Sequence, residues 1–190
     1  MVLSKNMQKL VAGSSTIRKL FEEGIELAKE VGAENVYDFS LGNPAAPVPE
    51  EVKKSIYDIL ENRNANFVHC YMPNAGYPEV REKVAANLNK KYNSSFTKDD
   101  IIMTVGAAGG INCVLRCLLE AEDEVLCFAP FFGEYNSYVM NFGGNLKVVP
   151  ADYETFQLNV EEADKYITER TKAVIINNPN NPSGVVYNKE

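Results

Sequence analysis

The sequence is poor in the residues that most metal and redox sites require. It holds a single histidine, His69, which excludes a site built from several histidines. One neighbouring cysteine is too little to support a Cys-His nucleophile. The cysteines have neither zinc-ribbon spacing nor a C-x-x-C pair, so we expect free thiols rather than a metal site. The thiols expected to be buried are Cys70, Cys113, Cys117 and Cys127.

Basic charge and long apolar runs are also scarce. The 190 residues include 19 lysines and arginines against 26 aspartates and glutamates, a net charge of -7. This balance lacks the basic surface that a nucleic-acid backbone attracts, so we expect no nucleic-acid partner. No stretch is apolar enough to span a bilayer, and residues 1–20 are too polar for a secretory signal. We therefore expect a soluble, cytoplasmic protein without a membrane partner.

Short apolar runs alternate with helical patterns over the second half of the chain. The strands are expected at 101–105, 124–128, 146–149 and 173–177. The helices are expected at 107–119, 132–142 and 160–167. The strands are continuous apolar runs, which indicates that both faces of the sheet are covered. This pattern predicts an α/β fold, a three-layer sandwich with a mainly parallel sheet.

The first half is less regular. Helical spacing runs from Ile17 to Val31, and a short strand is expected at 36–41. Prolines at 49 and 78 mark the starts of two further helices. Between these helices, the polar and aromatic stretch Glu61–Gly76 is expected to be a long loop with a functional role.

Ligands of open α/β sheets bind at the carboxyl ends of the strands, and three such ends are informative here. The first, Thr104–Gly110, runs through small residues into a helix. The free N–H groups and the dipole of a helix start suit a phosphate, although the glycines could equally serve to pack the helix against the sheet. Neither the dinucleotide fingerprint nor the P-loop pattern fits these residues.

The other two ends carry aromatic and amide side chains. Ala129–Tyr135 places aromatic rings where a flat heterocycle could stack. In Asn177–Gly184, prolines restrict the asparagines that precede them, and Asn181 could donate to a ring oxygen, although an ordinary strand-to-helix turn would look similar. Together the three ends suit a planar, phosphorylated heterocycle such as pyridoxal 5'-phosphate.

Three motifs carry a family resemblance: Ser40–Pro44 (SLGNP), Tyr71–Arg81 (YMPNAGYPEVR) and Asn177–Gly184 (NNPNNPSG). With them the sequence resembles the amino-terminal half of a class I aminotransferase, a fold-type-I pyridoxal-phosphate enzyme similar to the aspartate aminotransferases. The resemblance implies an N-terminal arm and helical part of a small domain over residues 1–48, and an incomplete cofactor-binding large domain over residues 49–190. It implies transfer of an amino group from an amino acid to a 2-oxo acid.

The resemblance also implies roles for single residues. Ala107 and Ala108 would give backbone contacts to the cofactor phosphate, where many relatives have a hydroxylated or basic residue. Phe132, in place of the more common Trp or Tyr, would stack on the pyridine ring. Asn181 would bind the phenolic oxygen of the ring.

Two further roles lie in the first half of the chain. The resemblance implies that Tyr71 reaches the phosphate of a neighbouring subunit, and therefore that the protein is a homodimer. It implies that the main chain of Gly42 touches the substrate carboxylate.

The catalytic residues are not matched in this sequence. The Schiff-base lysine of the family, its pyridine-binding aspartate and its carboxylate-binding arginine are expected beyond Glu190, so we expect a fragment that is inactive alone and exposes apolar surface. Lys98, beside Asp99 and Asp100 in a polar turn, is expected to be a surface lysine. The alternatives are a C–S lyase or decarboxylase of the same fold, a non-catalytic α/β binding or association fragment, and a nucleotide-binding domain.

Overall fold

A computed structural model describes residues 3–12, 16–39, 42 and 46–188. The chain divides into two compact units, Met1–Tyr71 and Met72–Glu190. The division into residues 1–48 and 49–190 implied by the resemblance stays a prediction.

The described part of the first unit is helical. A 3-10 turn, Ala33–Asn35, follows the second of its helices. The helices are α1 (Lys5–Ala12), α2 (Thr16–Val31), α3 (Glu50–Asn62) and α4 (Ala65–Val68). The start of α3 directly after Pro49 agrees with the sequence pattern.

Two expectations for the first unit are wrong in part. Residues 36–39 form no strand, and Ser40 and Leu41 lie outside the described residues. Tyr37 and Phe39 are 81% and 92% exposed. Alternation of apolar and polar residues is therefore not sufficient evidence for a paired strand. The expected long loop contains the end of α3 and all of α4, because the side chain of Asn64 caps α4 by accepting a hydrogen bond from Asn66 N–H.

The second unit alternates helices and strands, as the sequence predicts. A 3-10 turn, Lys98–Asp100, separates its first two helices. Its helices are α5 (Pro78–Tyr92), α6 (Gly106–Leu118), α7 (Glu134–Met140) and α8 (Val160–Ala163). Its strands are β1 (Glu124–Phe128), β2 (Asn145–Val149) and β3 (Thr171–Ile175). Helix α7 begins two residues later than predicted. Both α7 and α8 end earlier than predicted because three-residue turns follow them, with Phe142 N–H bonded to Val139 O and Tyr166 N–H bonded to Ala163 O.

The three strands form a parallel sheet in the order β2-β1-β3. Val125 of the central strand lies opposite Leu146 on one side and Ala173 on the other. Its neighbours Leu126 and Cys127 are each 1% exposed, as expected for a strand covered on both faces. The prediction of a parallel sheet is confirmed.

Helices cover both faces of this sheet. On one face, Val125 forms a buried cluster with Leu115 of α6 and Val139 of α7. On the other face, Leu126 and Val149 pack with Ala163 of α8. The second unit therefore has the predicted three layers.

The expected strand at 101–105 is absent from the described residues, and that prediction is wrong. Met103 N–H donates a 2.9 Å hydrogen bond to Ala75 O, but Ile102 and Val105 are 71% and 93% exposed. An apolar run becomes a strand only where a second strand pairs with its backbone. The residue types of one segment do not supply that partner.

The four cysteines are free, but only Cys127 is buried, so the prediction for the other three is wrong. Cys113 and Cys117 lie two residues either side of the buried Leu115. Positions two apart on a helix point to nearly opposite sides, which turns these two thiols outward.

Within the described ranges, no helix combines the length and apolar character that a membrane span needs.

Candidate functional site

Helix α6 runs in the opposite direction to β1. A Cβ atom built on Gly144 would lie 3.0 Å from Leu119 Cδ1 and 3.2 Å from Asp123 O, so the end of α6 lies beside the amino end of β1. A 13-residue helix spans about 20 Å and a five-residue strand about 17 Å. Ile111, in the second turn of α6, and Ile175, at the carboxyl end of β3, pack against the same buried cluster. This packing indicates that α6 runs back along the sheet towards its carboxyl edge.

The first turn of α6 is open. Gly106 has a φ of +66°, and a Cβ atom there would meet nothing within 4 Å. Val105 supplies no side-chain cap, so the helix itself leaves the first-turn N–H groups of Ala107 and Ala108 unsatisfied. Both alanines are exposed. This turn can accept an anion through its backbone.

Gly110 packs closely, but against the segment before α6 and not against the sheet. A Cβ atom at Gly110 would lie 3.3 Å from Thr104 Oγ1, which is tighter than most contacts of this kind. Thr104 Oγ1 donates a 3.0 Å hydrogen bond to Gly106 O. Gly110 thus makes room for Thr104, whereas a Cβ atom at Gly106 would meet open space.

The loop after β1 (residues 129–133, the β1 loop) presents Phe132. Its side chain is 38% exposed, and its ring meets that of Tyr135 at 82° with 5.7 Å between the ring centroids. Tyr135 is 7% exposed, and burial raises the pKa of its hydroxyl. A rigid buried ring therefore supports Phe132, which keeps part of its own surface open to a ligand.

The loop after β3 (residues 176–184, the β3 loop) is joined to the β1 loop through Asn180. Asn180 is 5% exposed, and its Nδ2 donates to Pro130 O at 2.9 Å and to Ser183 Oγ at 2.8 Å. The next residue, Asn181, is exposed. The loops that carry Phe132 and Asn181 are therefore fixed to each other at one edge of the sheet.

A cavity of about 10 Å³ lies beneath these loops, and Cys127, Tyr135, Asn180 and Tyr187 are among the residues that line it. This volume accommodates no more than about one water molecule. Burial raises the pKa of Cys127 to about 12, so the thiol is protonated at neutral pH and is a poor nucleophile. The cavity is part of the support for the loops and not a ligand site.

Two further amide side chains hold the chain that follows the β3 loop. Asn178 Oδ1 accepts a 3.0 Å hydrogen bond from Tyr187 N–H. Gln157, after β2, donates to Val186 O at 3.3 Å and accepts from Asn188 N–H at 3.0 Å. The segments that follow all three strands are thus linked through uncharged groups.

The other predicted residues do not belong to these three segments. Tyr71 and Gly42 belong to the first unit and are exposed, and their implied roles stay predictions. Of the SLGNP motif, only Gly42 is described. Lys98 is exposed in a 3-10 turn that the Thr97 side chain caps, as expected for a surface lysine.

The loops that carry Phe132 and Asn181 are hydrogen-bonded to each other after β1 and β3. The packing of α6 indicates that its first turn lies towards the same edge of the sheet, and a shared site of the three segments stays a prediction. Sequence reasoning missed Asn180, which joins two of these segments. The only available signal was an asparagine-rich loop, and nothing in the residue types separates Asn180 from Asn181.

The family model for aminotransferase class I and II matches residues 33–190. Aromatic-amino-acid aminotransferase 2 of Thermococcus litoralis is 37% identical over 193 residues, covering 100% of this chain and 46% of that protein. The probable aspartate/prephenate aminotransferase of Aquifex aeolicus is 35% identical, covering 86% of this chain and 41% of that protein.

Solved structures agree in fold. A crystal structure of an amino transferase from Eubacterium rectale superposes with a TM-score of 0.94 at 40% identity, covering 100% of this chain and 48% of that one. Thermus thermophilus aspartate aminotransferase with maleate gives a TM-score of 0.84 at 30% identity, with the same coverage. The chain spans about half the length of these relatives. It belongs to the class I and II aminotransferase family.

Proposed function

We propose that the protein to which this chain belongs is a pyridoxal-phosphate-dependent aminotransferase that moves an amino group from an amino acid to a 2-oxo acid. Class I and II aminotransferases are pyridoxal-phosphate enzymes. The relatives described above are named aminotransferases, which favours transamination over a C–S lyase or a decarboxylase. When bound, the cofactor supplies an electron sink for bonds broken at the substrate α-carbon.

The start of α6 fits the phosphate of this cofactor. Ala107 and Ala108 are exposed, no side chain of Val105 caps the helix, and the helix dipole places partial positive charge at this end. Neither side chain carries a hydroxyl or a positive charge. We infer that these two residues bind the phosphate mainly through the backbone.

The loops beside α6 fit the ring. Phe132 offers an exposed aromatic surface held by Tyr135, and the exposed amide of Asn181 lies on the loop tied to Pro130. We infer that Phe132 stacks on the pyridine ring and that Asn181 donates to its phenolic oxygen. The observation that carries the proposal is the common sheet edge of α6, the β1 loop and the β3 loop.

Several wider features belong to the same proposal. We infer a cytoplasmic homodimer in which Tyr71, fully exposed in this chain, contacts the cofactor phosphate of the other subunit. Gly42 is inferred to contact the substrate carboxylate. The Schiff-base lysine of the family matches no residue here, so we infer that the 190-residue chain does not transaminate alone.

Equilibrium dialysis of the 190-residue chain with pyridoxal phosphate tests this proposal. We expect reversible binding that excess ATP or NAD does not displace, and no long-wavelength absorbance of a lysine Schiff base that borohydride would remove. A108D places a carboxylate at the start of α6 and should weaken binding about tenfold or more. V114D adds the same charge on an exposed face of the same helix and should change the affinity less than about twofold.

Other results of the dialysis experiment would favour the alternative functions. Displacement by ATP or NAD would favour a nucleotide-binding domain. Absence of any binding would favour an association fragment. A borohydride-sensitive Schiff base on Lys98 would overturn the assignment of that lysine to the surface.

A further inference from the structure

Asn180 uses all of its hydrogen-bonding groups but one, and one of these bonds joins two loops. Both protons of its Nδ2 are donated, one to Pro130 O and one to Ser183 Oγ. Its backbone N–H donates to Val185 O at 2.9 Å, and its carbonyl accepts from Gly184 N–H at 2.7 Å. Because the residue is only 5% exposed, water does not readily replace these bonds.

The groups that Asn180 holds lie next to the residues assigned to the cofactor ring. Pro130 is two residues before Phe132 in the β1 loop, and Asn181 directly follows Asn180 in the β3 loop. The hydrogen bond to Pro130 O joins residues 50 positions apart, so local chain geometry does not enforce it. This bond is therefore a direct tertiary link between the two loops.

We propose that Asn180 is a positioning residue, which sets the separation between Phe132 and Asn181 by donating a hydrogen bond to Pro130 O. The coupling of the loops depends only on the contacts of this chain. Its consequence for ligand affinity rests on the proposed function. Asn180 is assigned no contact with the ligand.

The polarity of the bond provides a selective test. In N180D the new carboxylate faces the carbonyl oxygen of Pro130, so attraction becomes repulsion. Protonation at low pH returns one donor and partly restores the link. Asn178 has the opposite polarity, because its Oδ1 accepts from Tyr187 N–H. N178D keeps that acceptor and is the matched control in the same loop.

The titratable groups around Asn180 do not change their charge over the pH range in which N180D is tested. Cys127, Tyr135 and Tyr187 line the cavity beside Asn180. Burial raises the pKa of each of these groups, and for Cys127 the value is about 12. They stay neutral from about pH 5 to 8, where a new buried carboxylate changes its charge.

The first measurement is amide hydrogen exchange of the 190-residue chain, corrected for the intrinsic pH dependence of exchange. In N180D at pH 7 we expect exchange about tenfold faster in both loops, including residues 131–133, with partial recovery at pH 5. N178D should leave the β1 loop unchanged. Unchanged exchange in the β1 loop of N180D would overturn the inference.

The second measurement is the affinity for pyridoxine 5'-phosphate, which has no aldehyde and cannot form a Schiff base. We expect about tenfold weaker binding in N180D than in wild type at pH 7, and less than about twofold change in N178D. If the wild-type chain does not bind pyridoxine 5'-phosphate, the proposed function fails. The coupling of the two loops is then still tested by the hydrogen exchange measurement. If the loops open in N180D but affinity is unchanged, the positioning role is overturned.

A folding failure of N180D does not end the test. N180S removes the donor to Pro130 O without introducing repulsion. It should open the β1 loop without recovery at low pH. A closed β1 loop in folded N180S would contradict the proposal.

Discussion

Thr168 Oγ1 donates a 2.6 Å hydrogen bond to Glu124 Oε2, joining residues 44 positions apart. Lys147 Nζ lies 3.2 Å from the other carboxylate oxygen of Glu124. Glu124 begins β1, Lys147 lies in β2, and Thr168 precedes β3. One carboxylate therefore links all three strands at the amino edge of the sheet, opposite the candidate site.

This arrangement predicts a pH-dependent contribution to stability. The Thr168 hydrogen bond, more than the nearby Lys147 and Arg170, holds the pKa of Glu124 below its ordinary value of 4.5, although desolvation opposes the shift. A lowered folded-state pKa stabilises the protein above pH 4.5, and this contribution is lost as the pH falls through the folded-state pKa. E124Q should unfold at lower urea concentration than wild type at pH 7, and the difference should shrink below pH 4.5.

Urea titrations at several pH values measure this effect. E161Q, at an exposed glutamate of α8, is the control and should follow wild type throughout. A deficit of E124Q that is the same at pH 7 and pH 3 would contradict the electrostatic explanation.

The packing of α6 predicts that shortening a leucine side chain lowers the free energy of unfolding mainly where that side chain is buried. Leu115 is 1% exposed within the cluster formed by α6, α7 and β1, whereas Leu118 of the same helix is 45% exposed. L115A should lower the free energy of unfolding by about 2–5 kcal/mol, because it leaves a cavity. L118A should cost less than about 1 kcal/mol. Equal costs in urea unfolding would be inconsistent with this packing.

The exposed segment before α6 predicts self-association. Ile102 and Val105 present apolar side chains, 71% and 93% exposed, to solvent. The double substitution I102S/V105S should lower the sedimentation-average mass of the chain with less than about 0.5 kcal/mol change in stability. V114S removes an exposed apolar residue of α6 and serves as the control. Unaltered association in the double variant would show that another surface is responsible.

The stacking role inferred for Phe132 predicts a ranked series of ligand affinities. F132A should bind pyridoxine 5'-phosphate about tenfold more weakly, because it removes an aromatic contact and its buried area. F132W should bind a few-fold more tightly, since it offers a larger surface. F96A, in the turn after α5, should leave the affinity unchanged. Equal affinities for F132A and wild type would remove Phe132 from the site.

The sequence predicted the elements whose pattern is local. β1 coincides with its apolar run, and Pro78 begins α5 as proline favours the first turn of a helix. Ile102 lies in an equally apolar run, but strand formation depends on a pairing partner that its own residues do not encode. The same limit applies to Cys113, whose exposure depends on which face of α6 meets the sheet.

In the candidate site, too, the local patterns could be predicted and the tertiary contacts could not. Small residues at the start of α6 and the aromatic and asparagine-rich loops were recognisable because their residue types carry the chemistry. The hydrogen bond from Asn180 to Pro130 O was not recognisable from the sequence, because it joins distant positions through a backbone carbonyl that every residue has. Tertiary packing selects which asparagine of the β3 loop is buried.

Backbone amide chemical shifts during titration with pyridoxine 5'-phosphate test the central claim most directly. If the three segments form one site, the signals of Ala107, Ala108, Phe132 and Asn181 should move together and give a single dissociation constant. Shifts confined to one segment, or different constants for α6 and the two loops, would contradict a shared cofactor site.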